Sequence, residues 1–311
     1  MTSAPTEPAT RAVHTGPSGA AATDAAGLGR TRASLFVLPA FVLIGAFLVF
    51  PALWTLYLGL TNYRLTGIAA ADPEFVGLDN YTGALSDSGF THSLWLTLLY
   101  VLGSAVVGQC VLGFTLAWTL RRVRRTLRTV VESLVVLAWI LPGSAVAFLW
   151  IALLDRDAGT LNALLGTPGM AWLIEHPMLS IIIFNTWRGT AFSMLLFGAA
   201  LNAVPPSQLE TARMSGASGW QQLRDVVFPH IRGHVLTNLL LISLWTFNDF
   251  TPYLITAGGP NHASEILPLF VYRTAISDGQ LGFGSAISLI MLVINLVLAV
   301  LYLRLLRERR A

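Results

Sequence analysis

The sequence predicts an all-α membrane protein: six transmembrane helices, both N- and C-termini cytoplasmic, and a long cytoplasmic loop between helices 4 and 5. Three observations carry that prediction. Hydrophobic residues make up 54% of the 311-residue chain and charged residues only 11%, against roughly 25% charged residues in a soluble domain. Too few charges remain to coat the surface of a soluble protein this long. Six apolar runs, near 35–60, 93–119, 130–154, 179–203, 235–257 and 283–306, each reach the roughly 20 residues that cross about 30 Å of hydrocarbon. The arginines alternate with those runs. With the N-terminus inside, fifteen arginines fall in cytoplasmic segments and only Arg64, Arg156 and Arg273 in outer loops, the bias that sets membrane orientation. Asp72, Glu74, Asp155, Asp157 and Glu265 are among the acids that then lie outside, giving that face a negative character.

Taken in order, residues 1–33 are rich in Ala, Thr, Gly and Pro without hydrophobic periodicity, the composition of a disordered cytoplasmic tail. The apolar run after Arg30 and Arg32 is too long for a cleavable signal, and no small-residue cleavage site follows it. Residues 34–306 form the six-helix domain, and 307–311 a cytoplasmic end. Pro39, Pro51, Pro142 and Gly143 lie within or near the ends of spans, so neighbouring helices must satisfy the freed backbone groups. Glu132, at the cytoplasmic start of the third run, snorkels or pairs with nearby arginines. Arg188 inside the fourth run and Asp249 inside the fifth each cost at least about 2.5–3.5 kcal/mol on insertion scales. They form a structural pair or line a polar cavity; both readings stand at this point. The segment Asn185-Thr-Trp187-Arg188-Gly189, with Phe192, suits a sugar, since an amide bonds hydroxyls while an aromatic ring covers a C–H face. Its alternative is helix packing through Gly189, with Trp187 in an interfacial belt.

Several chemistries are excluded. All 19 basic residues are arginine, so a phosphate-loop lysine and Schiff-base chemistry are both absent. Cys110 is the single cysteine, so no intrachain disulfide can form. The six histidines make no HExxH and no CxxC exists; no metal site is expected. An intramembrane enzyme finds no nucleophile beside the membrane acids.

Between the fourth and fifth runs, Ser207 with Glu210 fits a capping box after two prolines. Gly216 stands where a left-handed helix stop belongs. Ser218 with Gln221 offers a second capping box, Trp220, Leu223 and Val227 recur at helical spacing, and Pro229 ends the pattern. The expectation is two short helices hinged at Gly216-Ala217, either packed under the chain's own bundle or presented to a partner.

The pattern Glu210-Thr211-Ala212, three residues, Gly216, nine residues, Val226-Val-Phe228-Pro229 resembles the EAA motif of binding-protein-dependent ABC importer permeases. Thr211 replaces the usual second alanine and Ser215 a frequent aspartate. Phe75-Val-Gly-Leu-Asp-Asn-Tyr81, then Trp150, Asp155, Gly159 and Asn162, then Asn185 to Gly189, Gly258-Gly-Pro260 and Phe283-Gly-Ser-Ala286 follow in the order of the carbohydrate-uptake branch, of maltose and glycerol-phosphate type. The resemblance spans roughly residues 35–306. It implies that 205–230 is a coupling-helix loop docking on a separate ATPase chain, with Glu210, Thr211, Ala212, Gly216, Ala217 and Pro229 as its coupling residues. It further implies a substrate path through Asn185, Trp187, Arg188, Gly189, Phe192, Asn248 and Asp249, for a carbohydrate or related polyol.

The partners implied are a second permease subunit in a heterodimer, two ATP-binding subunits, an extracytoplasmic solute-binding protein and the bilayer, with no nucleic acid. This chain would bind no cofactor, ATP being used by the ATPase, and would reside as a multi-pass protein in a bacterial cell membrane. The rival reading is an ion-gradient-driven secondary transporter or channel using Arg188 and Asp249 as its relay.

Overall fold

The computed structural model describes residues 30–308, with side chains described over 36–306. Its described residues are helical and irregular apart from one isolated antiparallel bridge between Thr61 and Phe75. The chain divides into two units, Met1–Trp54 and Thr55–Ala311.

Helix α1 (30–59) opens at Arg30 in the first unit and ends in the second. Residues 30–33, expected to close a disordered tail, are therefore already helical, and the rest of that expected tail, 1–29, lies outside the described residues. The helix runs through Pro39, and a π-helical stretch, Gly45–Val49, immediately precedes Phe50-Pro51. A proline inside a helix has no N–H to donate and needs room for its ring. A widened turn provides that room.

In the second unit, α2 (Ser88–Leu120) starts earlier than the apolar run because Asp87 caps it, accepting from the Phe90 N–H at 3.0 Å. Its middle, Val101–Gln109, is π-helical. The third expected span is broken: α3 (Arg125–Ile140) and α4 (Gly143–Leu153) meet at 105°. Pro142 explains the break, since the residue before a proline is pushed out of the helical region, and Leu141 is extended at ψ 141°. Glu132 pairs with Arg128 one helical turn away at 2.8 Å, as the sequence suggested.

Helix α5 (Pro177–Asn202) follows, then α6 (Pro206–Met214), α7 (Gly219–Phe247) and α8 (Leu281–Glu308). Two further expectations change here. Pro229 does not end a short helix, because the π-helical stretch Leu223–Val227 stands just before Phe228-Pro229 and the helix continues into the fifth span. That span in turn stops at Phe247 rather than 257. The Asp249 carboxylate captures the Thr251 N–H at 2.9 Å, and Pro252 begins a separate turn of helix. The cytoplasmic end expected at 307–311 is helical to Glu308; 309–311 lie outside the described residues. Among the described residues, five helices are thus long and apolar enough to cross a membrane, or up to six if α3 and α4 count as one span.

Helix α5 is the centre of this unit, with Ile181, Phe184, Ala191 and Leu201 fully buried against α2, α3 and α7. Lipid tails are as apolar as these side chains, so close packing rather than water exclusion holds such helices together. The closest packing is between α2 and α5. Gly103 receives Ile182, Gly108 receives Thr186, Gly113 receives Ser193, and from the other side Gly189 receives Gln109. A spacing of five keeps the first two notches on one face through the π-helical turn. A Cβ on Gly113 would lie 2.8 Å from the Met194 backbone nitrogen, so Gly113→Val should destabilise the fold by about 3 kcal/mol. Thermal unfolding in detergent checks this, and an unchanged midpoint would contradict the packing described.

Candidate functional site

A cavity of about 290 Å³ opens among α2, α3, α5, α7 and the residues just past α7, lined by Gln109, Trp139, Asn185, Arg188, Gly189, Ile242, Trp245, Thr246 and Asp249. Arg188 is the twelfth of the 26 residues of α5. At 1.5 Å per residue, that puts its Cα near the middle of the span.

Each polar group is held from behind. Asn185 is buried and donates from Nδ2 to Ser104 Oγ at 2.8 Å and Thr246 Oγ1 at 3.2 Å, while its backbone carbonyl accepts from Gln109 Nε2 at 3.1 Å. Ser104 and Gln109 come from the π-helical stretch of α2, a feature often found where side chains must be re-aimed for function. Gly189 has no side chain because that of Gln109 occupies the space.

Arg188 and Asp249 make no direct ion pair among the described residues. Both converge on Thr251: Arg188 Nη1 donates to its hydroxyl at 3.2 Å, and Asp249 Oδ1 accepts its N–H. The other Asp249 oxygen accepts from the Tyr100 hydroxyl at 3.0 Å. The guanidinium lies against Gly143, at the start of α4, so the break at Pro142 makes room for it. Arg188 Nε is buried and has no hydrogen-bond partner among the described residues. Of the two readings of these charges, the polar cavity is the one formed.

Two aromatic walls complete it. Trp245 stands T-shaped to Phe192 with ring centres 4.7 Å apart, and Trp139 lies 6.2 Å from the same ring. Phe192 therefore braces both indoles and does not itself line the space. Trp187 also falls outside the lining; it is exposed and packs near Trp150 at 5.8 Å. Asn248 faces away too, pairing with Asn295 through two 3.2 Å bonds. Reasoning from the sequence missed Gln109, Trp139, Trp245 and Thr246. For Gln109 the signal is present in the sequence, a polar amide deep in an apolar run.

The loop between α5 and α7 has its own geometry. Helix α6 begins directly at Pro206, so Ser207 lies inside it and the expected capping box with Glu210 does not form; the Ser207 carbonyl instead accepts from Thr211 Oγ1 at 2.9 Å. A proline in the first turn makes that start without a side-chain cap. At the other end the expectation holds. Gly216 has φ 78°, and the Ala217 and Gly216 N–H groups donate to the Ala212 and Arg213 carbonyls, both at 3.0 Å. That is a Schellman stop. The Ser218–Gln221 capping box is also formed. One face of this loop is anchored, with Val227 buried and Leu209, Leu223 and Val226 packed on the chain's own core. Its other face, with Glu210, Met214, Gly216 and Trp220, is exposed, Met214 by 84%.

Residues 109–311 match the family described as binding-protein-dependent transport system inner membrane component. The inner membrane ABC transporter permease protein YcjO of Escherichia coli is 30% identical over 277 residues, covering 84% of this chain and 89% of that protein. The sulfoquinovosyl glycerol transport system permease protein SmoG of Agrobacterium fabrum is 26% identical, covering 90% and 92%. A chain of the bacterial alginate ABC transporter, crystallised with its alginate pentasaccharide-bound periplasmic protein, superposes with a TM-score of 0.70 at 17% identity, covering 88% of this chain and 92% of that one. That structural likeness shows a shared permease fold. The family match extends across both the cavity and the loop, and the chain belongs to the binding-protein-dependent transport system inner membrane components, as a multi-pass permease subunit of an ABC importer and not an enzyme.

Proposed function

We propose that this permease subunit moves a carbohydrate or related polyol through the cavity around Arg188. The observation that carries the substrate class is the lining itself. Two indoles line the space beside Asn185, Gln109 and Thr246, which offer amide and hydroxyl groups, and Arg188 brings a guanidinium. Apolar walls with a few convergent polar groups are the usual form of a small-molecule site. Arg188 and Asp249 bring opposite charges, so a neutral polyhydroxyl compound finds both donors and acceptors without a net field. The sugar-derived substrate named for the relative in Agrobacterium supports the same class.

Both termini and the 205–230 loop face the cytoplasm in this reading, supported by the arginine distribution. Glu210, Thr211, Ala212, Gly216, Ala217 and Pro229 belong to the surface that receives an ATPase subunit; the exposed Met214 and Trp220 supply apolar contact beside them. A second permease subunit completes the path, two ATP-binding subunits hold the nucleotide, and an outer binding protein delivers the substrate at a bacterial cell membrane. This chain binds no cofactor. Each ligand shifts the transporter between states only as far as its affinity differs between them, so ATP and substrate act on the same equilibrium from opposite faces.

The test is uptake into proteoliposomes by the complex that purifies with the tagged chain. A panel of labelled neutral sugars and polyols should include at least one taken up only with ATP on the loop side. A chain that purifies alone and moves solute on an ion gradient would overturn the reading in favour of an Arg188–Asp249 relay.

A further inference from the structure

A second, smaller cavity of about 160 Å³ lies between the end of α2 and the loop, lined by Trp118, Arg121, Arg122, Leu209, Arg213 and Gln222. Three of the six lining residues are cations and none is an acid. Arg121 and Arg122 both stand over the Trp118 ring, at 5.9 and 5.7 Å from its centre, a contact that orients the two guanidinium groups. Arg213 reaches in from α6, its Nε directed at Gln222 Oε1 at 3.4 Å, and Gln222 is itself buried and fixed by a 2.8 Å bond to the Ala217 carbonyl.

No carboxylate pairs with Arg121, Arg122 or Arg213 among the described residues, whereas the neighbouring Arg128 is neutralised by Glu132. Burial first, and then the crowding of Arg128, Arg122 and Arg213, pull the Arg121 guanidinium below its ordinary value. Three like charges converging on one small space repel each other unless an anion sits among them. All three arginines are exposed, yet the Trp118 ring and the end of α2 hold Arg121 and Arg122 close together beside Arg213.

We propose that this cavity binds a phosphate-bearing anion, either the headgroup of an acidic phospholipid or a soluble phosphate, tying the end of α2 to helix α6. Planar guanidinium groups match phosphate oxygens two at a time, and Trp118 stands where α2 leaves its apolar stretch, the level at which indoles and headgroups meet. Basic pockets between spans at that level are suited to lipid headgroups. Because α6 carries Glu210 and Ala212, the anion would stiffen the element offered to the ATPase; this consequence rests on the docking role of the loop, while the binding itself does not.

The experiment is native mass spectrometry of the full chain, with whatever subunits accompany it, after exchange into phosphatidylcholine nanodiscs with and without phosphatidylglycerol, alongside a titration with inorganic phosphate. Phosphatidylglycerol should be retained after release into detergent and phosphatidylcholine not. R121Q/R122Q should weaken retention roughly thirtyfold, at the usual contribution of two arginines near an anionic surface, and R121K/R122K should restore most of it. Matching unfolding midpoints in phosphatidylcholine separate loss of binding from loss of fold. Inorganic phosphate that saturates the site and displaces phosphatidylglycerol would assign the soluble source. Equal retention of both lipids with no response to phosphate, or retention unchanged in R121Q/R122Q, would overturn the proposal. So would a site that is blocked whenever the ATPase is bound, since that would make the three arginines a contact for acidic side chains of that partner. Recovery of the ATPase is read separately, so failure of the docking role and failure of anion binding are distinguishable.

Discussion

Replacing Gly216 with valine should cut recovery of the ATPase with this permease at least about tenfold, without loss of membrane insertion. The left-handed φ of 78° at this residue costs an L side chain roughly 1–2 kcal/mol, and a β-branched one is worse still. Space is not the obstacle, because nothing lies within 4 Å of the position a Cβ would take. The substitution therefore acts on the direction in which α6 leaves the loop and not on packing. Asparagine tolerates the same conformation, so Gly216→Asn should retain most of the interaction. Adding Glu210→Ala to the valine variant should deepen the loss, since Glu210 lies on the exposed side of α6. Valine and asparagine variants that both recover full ATPase in a pull-down would remove the loop from the coupling path.

A second large effect is expected in the cavity. Arg188→Met leaves the Asp249 charge alone at the depth of the span, with Tyr100 and the Thr251 N–H as its remaining partners. An intramembrane charge carries about 2.5–3.5 kcal/mol on insertion scales, so ATP-driven uptake should fall roughly a hundredfold. Arg188→Met with Asp249→Asn restores neutrality. If the two charges act by balancing one another, the double variant should regain part of the uptake that either single variant loses. If Arg188 acts chiefly as a donor to substrate, the double variant stays as inactive as Arg188→Met, and the split between transport affinity and turnover separates the cases. Normal uptake by Arg188→Met would exclude it from the path.

The large features of the fold were legible because they follow from solvent. The apolar runs and the Gly216 stop each answer to a local rule, and both are present in the structure, with the third run bent and the fifth ending at Phe247. The breaks were less legible. Pro142 marked a weakness in the third run, yet nothing local announces a turn of 105°, because that angle is decided by what α4 packs against. Pro229 was misread for the opposite reason: a widened turn two residues earlier lets the helix absorb it. In the site, Arg188 and Asp249 were visible as charges out of place, and Asn185 through its motif. Trp139 and Trp245 were hidden among nine tryptophans, since aromatic residues in an apolar run carry no mark of which way they face. Asn248 shows the converse error, a polar residue beside Asp249 whose partner, Asn295, belongs to another helix.

The glycine notches of α2 and α5 limit how this protein can move. Ile182, Thr186 and Ser193 sit in Gly103, Gly108 and Gly113 like teeth in a rack, and Gln109 engages Gly189 from the opposite side. Sliding by one residue would drive each tooth against the side chains that flank its glycine, so the two helices are keyed together as a single beam. Asn185, Arg188 and Gln109 ride on that beam at fixed distances from each other. Any change in the shape of the cavity then falls to the elements that carry Trp139, Trp245 and Asp249, through the Asn185–Thr246 and Arg188–Thr251 bonds that join them to the beam.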